Sequence, residues 1–257
     1  MADKRKTRSP LERKPLRNPG ESLHRKREEL VEDELTPTLM FAAMMVVATL
    51  WEWGRWYFKT PPYPLHVSVL ASLAVGYATY RFFELRVRVR ALRLGEEGEK
   101  EVGHSLEDLR RQGCRIFHDI EGKGFNIDHV VVSTRGIFVI ETKTFSKPMH
   151  GKTVVTYDGE RLLVNGRSPK RNPVVQAQAL SRWLRKFLAE STGRQFPIRG
   201  VVVFPGWFVP DENQKGDVWV LNPKRLPAFI RQEPVQMQSE DVALVSSRII
   251  DHIQRTE

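Results

Sequence analysis

Cysteine is almost absent from this chain, and acidic residues are fewer than basic ones. Among 257 residues there is one cysteine, Cys114, which excludes a disulfide framework and a cysteine-based zinc cluster and fits a reducing compartment. Asp and Glu number 31 against 41 Lys and Arg, a formal net charge of +10 that indicates a polyanionic partner, nucleic acid or an anionic membrane. Hydrophobic residues at 40% and charged residues at 28% exclude a wholly disordered chain and a polytopic transporter.

Long apolar runs occur in two places, both in the first third of the chain. Residues 39–51 carry no charge, and an aromatic cluster follows them directly. Residues 65–80 contain His66 as their one ionisable side chain, and a Pro-rich turn at 59–64 separates the two runs. Two apolar segments joined by so short a turn favour a pair of helices that lie side by side.

The two runs predict a transmembrane helical hairpin over residues 36–83, with helices at about 38–57 and 65–83 that contact the lipid bilayer. Lys and Arg are more frequent beside the outer ends of the hairpin than beside its turn. This bias predicts a two-pass protein of the cell (inner) membrane with both termini and the soluble domain cytoplasmic. The alternative is a soluble helical hairpin buried in a larger core, although little other helical sequence is available to cover it.

The remaining segments differ sharply in composition. Residues 1–35 are polar and charged, which predicts a disordered cytoplasmic tail with a short helix around residues 21–34. Residues 84–93 are predicted to be a basic linker, and residues 94–257 a soluble α/β domain. Its predicted elements are a helix at 95–112, strands at 114–119, 126–132, 136–143, 152–157, 161–164, 199–204 and 217–221, and helices at about 172–190, 223–231 and 239–254.

Charged side chains appear where two of the predicted core strands end. Glu141 and Lys143 follow an apolar run and share one face of their strand. If Thr134 and Arg135 form the hairpin turn, Asp128 on the preceding strand lies directly opposite Glu141, with Cβ atoms about 4.5–5.5 Å apart. Two carboxylates that close repel each other unless a cation lies between them, and a divalent metal is the natural candidate. A register slip of one residue would remove this pairing.

Two helices present polar side chains at the head of apolar stripes. Glu99 precedes Val102, Leu106 and Leu109 at helical spacing, and Gln176 heads a similar stripe on the helix that begins after Asn172. Polar groups that lead buried stripes need partners. A single site that contains Glu99, Asp128, Glu141, Lys143 and Gln176 would account for all of them.

Each of these residues also has an ordinary structural interpretation. Charged strand ends are often simply solvated, Glu99 could be a first-turn acid favoured by the helix dipole, and Gln176 could be a helix-cap residue. His118 and His129 are interpreted as sheet residues rather than metal ligands. Cys114 has no activating partner in the sequence pattern and is interpreted as a packing residue.

Four segments in this order resemble the successive motifs of the nuclease-related domain, NERD, which is similar to the PD-(D/E)xK nucleases. The segments are Gly95-Glu96-Glu97-Gly98-Glu99, Asn126-Ile127-Asp128-His129, Gly136-Ile137-Phe138-Val139-Ile140-Glu141-Thr142-Lys143 and Asn172-Pro173 followed by Gln176. The resemblance covers roughly residues 92–205 and implies a restriction-endonuclease-like α/β fold, in which helices flank a mixed central sheet. It implies the fold more firmly than the activity, because nuclease activity within the family is largely inferred from the superfamily.

The resemblance also implies a chemistry for these residues. Asp128, Glu141 and Glu99 would bind Mg²⁺ or Mn²⁺, Lys143 would orient or deprotonate the attacking water, and Gln176 would position Lys143 or a phosphate. The implied function is metal-dependent hydrolysis of phosphodiester bonds in nucleic acid, with DNA expected over RNA, by a hydrolase anchored in the membrane.

A catalytically silent, membrane-tethered domain that binds nucleic acid or a protein is the alternative. Residues 94–257 are only mildly basic, with 24 Lys and Arg against 21 acids, so most of the net charge lies beside the predicted hairpin. One local patch keeps nucleic acid as the expected partner, because residues 143–171 hold seven Lys and Arg against two acids. The residues of this patch predicted to bind nucleic acid are Lys147, Lys152, Arg167, Lys170 and Arg171.

Overall fold

The computed structural model describes residues 17–59, 64–147, 153–210 and 216–256. The described residues form two compact units. The first is Ser22–Glu96, and the second is Glu97–Glu257 together with the described residues that precede Ser22.

The first unit is helical throughout its described length. Its elements are α1 (Glu21–Glu29), a π-helical segment (Leu30–Leu35), α2 (Thr36–Tyr57) and the first part of α3 (Pro64–Arg111). Residues 21–35 are therefore helical, in agreement with the short helix predicted around residues 21–34 of the tail, and they are held in part by a hydrogen bond between His24 and Glu96 and an ion pair between Arg27 and Glu96. The expected linker at 84–93 is also helical, because residues 82–94 contain no Gly or Pro.

Apolar side chains of the first unit are strongly exposed. Within the described residues, one helix, Glu21–Tyr57, is long and apolar enough to cross a membrane. Trp51 on α2 is 72% exposed and Leu73 on α3 is 67% exposed. The second apolar run lies in α3, and a second span remains a prediction. Two contacts join α2 and its preceding turn to α3: Trp53 Nε1 donates to Ser68 Oγ at 3.1 Å, and Arg81 pairs with Glu34 at 2.7 Å.

The second unit is built on a mixed five-stranded sheet, as expected, with helices against it. The strands are β1 (Arg115–Gly122), β2 (Phe125–Ser133), β3 (Gly136–Thr142), β4 (Val155–Tyr157), β5 (Leu162–Val164), β6 (Ile198–Val203) and β7 (Val218–Leu221). The sheet order is β1-β2-β3-β6-β7, with β1, β2 and β3 antiparallel and β3, β6 and β7 parallel. Strands β4 and β5 form a separate antiparallel hairpin.

Helices cover both faces of this sheet. They are the end of α3, α4 (Pro173–Thr192), a 3₁₀ turn (Pro223–Arg225), α5 (Leu226–Gln232) and α6 (Ser239–Thr256). Val130 and Val139 pack in a core with α4 and α6, whereas Val131 packs in a second core with α3 and α5. Because β2 and β3 are buried on both faces, they consist mainly of branched apolar residues.

Helix α4 runs along the sheet from one end of β3 to the other. Asn172 caps it, since Oδ1 accepts from the backbone N–H of Val174 at 3.0 Å, and Pro173 occupies the first turn, as predicted. Val174 packs with Phe204, beyond the end of β6, whereas Leu188 packs in the cluster that contains Ile137, at the start of β3. The first turn of α4 therefore lies towards the carboxyl end of β3, where the predicted site residues are found.

Candidate functional site

Glu141 and Lys143 lie where β3 leaves the sheet. Glu141 is 2% exposed, and the Lys143 ammonium reaches back to its Oε1 at 2.5 Å. The other oxygen of this carboxylate, Oε2, is buried and has no hydrogen-bond partner in the described residues. A buried carboxylate with one bare oxygen is costly and favours the approach of a further cation.

The side chain of Asp128 contacts the end of β3 through the backbone of that strand. The predicted register is confirmed from Ser133↔Gly136 to His129↔Ile140, which places Asp128 next to Glu141 along the ladder. The backbone N–H of Thr142 donates to Asp128 Oδ2 at 2.7 Å. The expected alternation is interrupted here, however, because Ile127 and Val130 pack in the same core cluster. The strand pattern therefore does not by itself fix the face of Asp128, and the Thr142 contact gives its position.

Glu99 approaches from α3 and heads the apolar stripe predicted for it. The carboxylate is 6% exposed and accepts a hydrogen bond from the backbone N–H of Gly20, while its Oε2 has no partner in the described residues. The helix comes very close to the end of β3 at this point. A Cβ added to Gly98 would lie 1.9 Å from Thr144 Oγ1, so glycine is required for this approach.

The electrostatics show that the three carboxylates are neighbours. Burial, followed by the charges of Asp119 and Glu141, raises the pKa of Glu99 to about 8. Burial, followed by the charges of Glu141 and Glu99, raises the pKa of Asp128 well above its ordinary value. Burial also raises the pKa of Glu141 against the opposing effect of Lys143. A cation bound between these carboxyl groups would stabilise their ionised forms, which burial and mutual repulsion disfavour.

Asp119 is a fourth buried acid that the sequence reasoning missed. It is 0% exposed, has a φ of 55°, and accepts a hydrogen bond from Asn126 Nδ2 at 2.5 Å. The β1–β2 register resumes on each side of it, at His118↔His129 and Ile120↔Ile127, which sets Asp119 across from Asp128. The two-residue turn after Gly122 was the available signal, because it fixes this register.

Gln176 and the residues predicted to bind nucleic acid make none of these contacts in the described part of the chain. Gln176 is half-buried in the first turn of α4, and no hydrogen bond joins its amide to Lys143 in the described part of the chain. Four of the five residues predicted to bind nucleic acid are exposed: Lys147, Arg167, Lys170 and Arg171. The fifth, Lys152, lies outside the described residues.

The donor chemistry suits a hard divalent cation, but the ligands are not preassembled. Among the described ranges, no three His, Cys, Asp or Glu side chains converge as a ready metal cluster. The oxygens available are those of Asp128, Glu141 and Glu99, and two of these acids have a buried oxygen without a hydrogen-bond partner. Such oxygen ligands fit Mg²⁺ or Mn²⁺.

The structure agrees with the interpretation of the two histidines as sheet residues and of the cysteine as a packing residue. His118 and His129 are buried, with Nδ1 atoms 2.8 Å apart, so one ring donates to the other. Burial lowers the pKa of His118 to about 4. Cys114 is buried in the core with α3, and burial raises the pKa of its thiol.

Comparison with known proteins identifies one domain. No curated protein and no solved structure matches the chain. Residues 94–205 match the family model described as the nuclease-related domain, NERD. The match includes Glu99, Asp128, Glu141, Lys143 and Gln176. Over residues 94–205, therefore, the chain is similar to the nuclease-related domain of the NERD family.

Proposed function

We propose that the chain is a membrane-anchored, nuclease-like hydrolase that cleaves phosphodiester bonds of nucleic acid, with DNA preferred, in the presence of Mg²⁺ or Mn²⁺. The observation that carries the proposal is the cluster of Glu99, Asp128 and Glu141 beside Lys143, in which burial and then the charge of Glu141 raise the pKa of the other two carboxyl groups, within the match to the nuclease-related domain. A fold gains no stability from uncompensated buried carboxylates, so a functional cation explains them.

Asp128 and Glu141 would hold the ion through carboxylate oxygens, with Glu99 and the Thr142 carbonyl completing the set. When bound, the ion supplies Lewis-acid polarisation of a phosphate oxygen and a bound water of lowered pKa. Glu99 and Glu141 each have one buried oxygen that takes part in no hydrogen bond among the described residues, and these oxygens are available as metal ligands. Burial raises the pKa of both carboxyl groups, which makes their charged forms costly until a cation is bound.

Lys143 is proposed to act on the water and on the phosphate. Its side chain is 28% exposed, so it reaches both the buried Glu141 carboxylate and solvent. From that position the ammonium form would orient the attacking water and offset the negative charge that develops on the phosphate, whereas the neutral amine form would accept a proton from that water. Gln176, on the first turn of α4, is proposed to position Lys143 or a phosphate oxygen.

The exposed basic patch is proposed to hold the nucleic-acid backbone. Lys147, Arg167, Lys170 and Arg171 are free to contact phosphates without sequence preference. Lys152 is proposed to belong to the same patch. Binding through such contacts would weaken steeply with salt.

The membrane arrangement is proposed to be a two-pass hairpin with helices at about 38–57 and 65–83 and both termini cytoplasmic. The exposed apolar faces of α2 and α3, and the Trp53–Ser68 and Glu34–Arg81 contacts between them, support it. Arg86, Arg88 and Arg90 follow the second run and favour the cytoplasmic side. The location proposed with this arrangement is the cell (inner) membrane.

A catalytically silent domain that binds nucleic acid or a protein is the second candidate. Two observations favour it: no three ligand-type side chains converge in the described residues, and Lys143 already neutralises one oxygen of Glu141. This candidate predicts nucleic-acid or protein binding that does not depend on a metal.

Metal binding and cleavage measured together separate the two. The full chain in lipid nanodiscs would be titrated with Mn²⁺ by calorimetry and assayed on plasmid DNA and on RNA. We expect binding and cleavage in the natural protein, and loss of both in Asp128→Asn and Glu141→Gln. Lys123→Ala, at the exposed β1–β2 turn, is the control. Absence of any Mn²⁺ binding that depends on Asp128 and Glu141, with no cleavage, would favour the silent domain.

A further inference from the structure

A second polar site lies at the opposite end of the sheet from the carboxylates. A cavity of about 600 Å³ opens beside Gly136 at the start of β3, Ile198 at the start of β6 and Val218 at the start of β7. Glu141 is five residues along β3 from Gly136, a distance of about 15 Å in an extended strand. The cavity is therefore separate from the candidate metal site.

Positive charge dominates the wall of this cavity. Four arginines line it, Arg135, Arg182, Arg185 and Arg199, and the acids that line it are Asp217 and Glu233. In the ranges that the structure describes, none of the four arginines forms an ion pair with a carboxylate. The excess charge is thus available to a ligand.

Neutral groups hold three of these arginines in place. Arg135 donates to the backbone carbonyl of Glu233, and Arg185 donates to that of Ile198 at 3.0 Å. Arg199 donates to the Gly216 carbonyl at 3.4 Å and lies over the Trp219 ring at 4.8 Å. Each guanidinium has five N–H donors, so most remain free after these contacts. Preorganised guanidinium forks with free donors suit the oxygens of phosphate.

The cavity also offers an apolar floor of Ile137, Phe196 and Ile198, with Ser181 and Gln178 beside it. Its volume lies within the range of small-molecule sites and accommodates a mononucleotide. We propose that this cavity is a second binding site, for a terminal phosphate group carried by a nucleotide or by the end of a nucleic acid. The site does not depend on the proposed nuclease activity.

Arg182 provides the sharpest test. Its side chain is exposed, and among the described residues it makes no hydrogen bond or ion pair, so Arg182→Gln removes a charge without removing a structural contact. Lys186→Gln is the matched control, since it removes one charge from the same helix outside the cavity. Arg185→Gln is the second variant.

Calorimetry on the full chain in nanodiscs, with EDTA present, would use adenosine monophosphate, adenosine, inorganic phosphate, and 5′-phosphorylated and 5′-hydroxyl oligonucleotides. We expect adenosine monophosphate to bind, adenosine not to bind, and Arg182→Gln and Arg185→Gln each to weaken binding about tenfold or more. Lys186→Gln and Lys143→Ala should bind as the natural protein does. The 5′-phosphorylated oligonucleotide binding alone would identify the nucleic-acid end as the source.

Three results would overturn the proposal. The first is no binding of any phosphorylated probe. The second is equal weakening by Lys186→Gln, which would show a general charge effect. The third is loss of binding in Lys143→Ala, which would place the ligand beside the carboxylates.

Discussion

The two ends of β3 carry opposite charges, and the protein holds them in different ways. At the carboxyl end, Glu141 and Asp128 are buried, and burial raises the pKa of each. At the amino end, Arg135 and Arg199 are partly exposed and are fixed by backbone carbonyls beside an open cavity. The carboxylates are desolvated and close together, whereas the arginines keep contact with solvent.

Because of this difference, the two ends of β3 differ in what they need to be stable. Buried like charges destabilise the fold until they are protonated or meet a cation. Exposed guanidinium groups held by neutral carbonyls cost little, so the fold tolerates them without an anion. Stability should therefore respond to pH and divalent ions through the carboxyl end, and hardly at all through the amino end.

The largest expected effect is on catalysis at the carboxyl end. Lys143→Ala should lower the rate of DNA cleavage by about a thousandfold, because it removes the group proposed to act on the water and on the developing phosphate charge. Substrate affinity should change little, since the backbone contacts are proposed to come from the exposed basic patch. Single-turnover cleavage and equilibrium DNA binding measure the two effects separately.

Lys123→Ala, at the exposed β1–β2 turn, is the control for this substitution. An equal loss of affinity and rate in Lys143→Ala would show that Lys143 only binds nucleic acid. Unchanged cleavage would remove Lys143 from the mechanism.

The next effect is a pH dependence of stability that the carboxylates impose. Burial raises the pKa of Glu99 to about 8 in the folded chain from its ordinary value of 4.5, so the folded state keeps a proton that the unfolded state releases. Without divalent ions, the melting temperature should therefore fall by several degrees as pH rises from about 5 to 8. Thermal melts in EDTA across this range measure the fall.

Two variants test which carboxyl groups cause this pH dependence of stability. Glu99→Gln should flatten the pH profile, and Mn²⁺ at pH 8 should restore stability to the natural protein but less to Asp128→Asn. Arg182→Gln, at the other end of the sheet, should follow the natural profile. A pH profile unchanged by Glu99→Gln would show that Glu99 does not titrate as the structure indicates.

Much of the carboxyl end was predictable because its geometry is local. A two-residue turn at Thr134 and Arg135 fixes the register of β2 and β3, and apolar runs mark where each strand ends. Asp119 was missed because its positive φ breaks the alternation on which strand reasoning depends. The interruption between Ile127 and Val130 has the same origin and hid the true orientation of Asp128.

The amino end could not be predicted from spacing. Arg135, Arg182 and Arg199 come from a hairpin turn, a helix and a separate strand, and only the packing of α4 on β3 and β6 brings them together.

The continuous helix α3 was missed for a related reason. Its basic segment shows no apolar periodicity, yet nothing in it stops a helix.

A smaller effect tests how tightly α3 approaches the carboxyl end. Gly98→Ala should destabilise the domain by about 1–2 kcal/mol, because the contact with Thr144 outweighs the gain in helix propensity. Adding Thr144→Ala should recover most of that loss, and the double-mutant cycle in urea denaturation measures the coupling. Additive effects in the cycle would mean that the two residues are not in contact.

The smallest effect concerns α4, the helix that extends between the two ends. Asn172→Ala removes the side-chain oxygen that accepts from Val174 and should cost about 1 kcal/mol, whereas Asn172→Asp keeps the acceptor and should cost almost nothing. Because α4 bears Gln176 near one end of β3 and Arg182 near the other, fraying of its first turn should affect cleavage more than phosphate binding. Urea denaturation, cleavage and adenosine monophosphate binding measured on the same two variants test this. Equal losses at both ends would show that α4 moves as one rigid body and that the two ends are coupled through it.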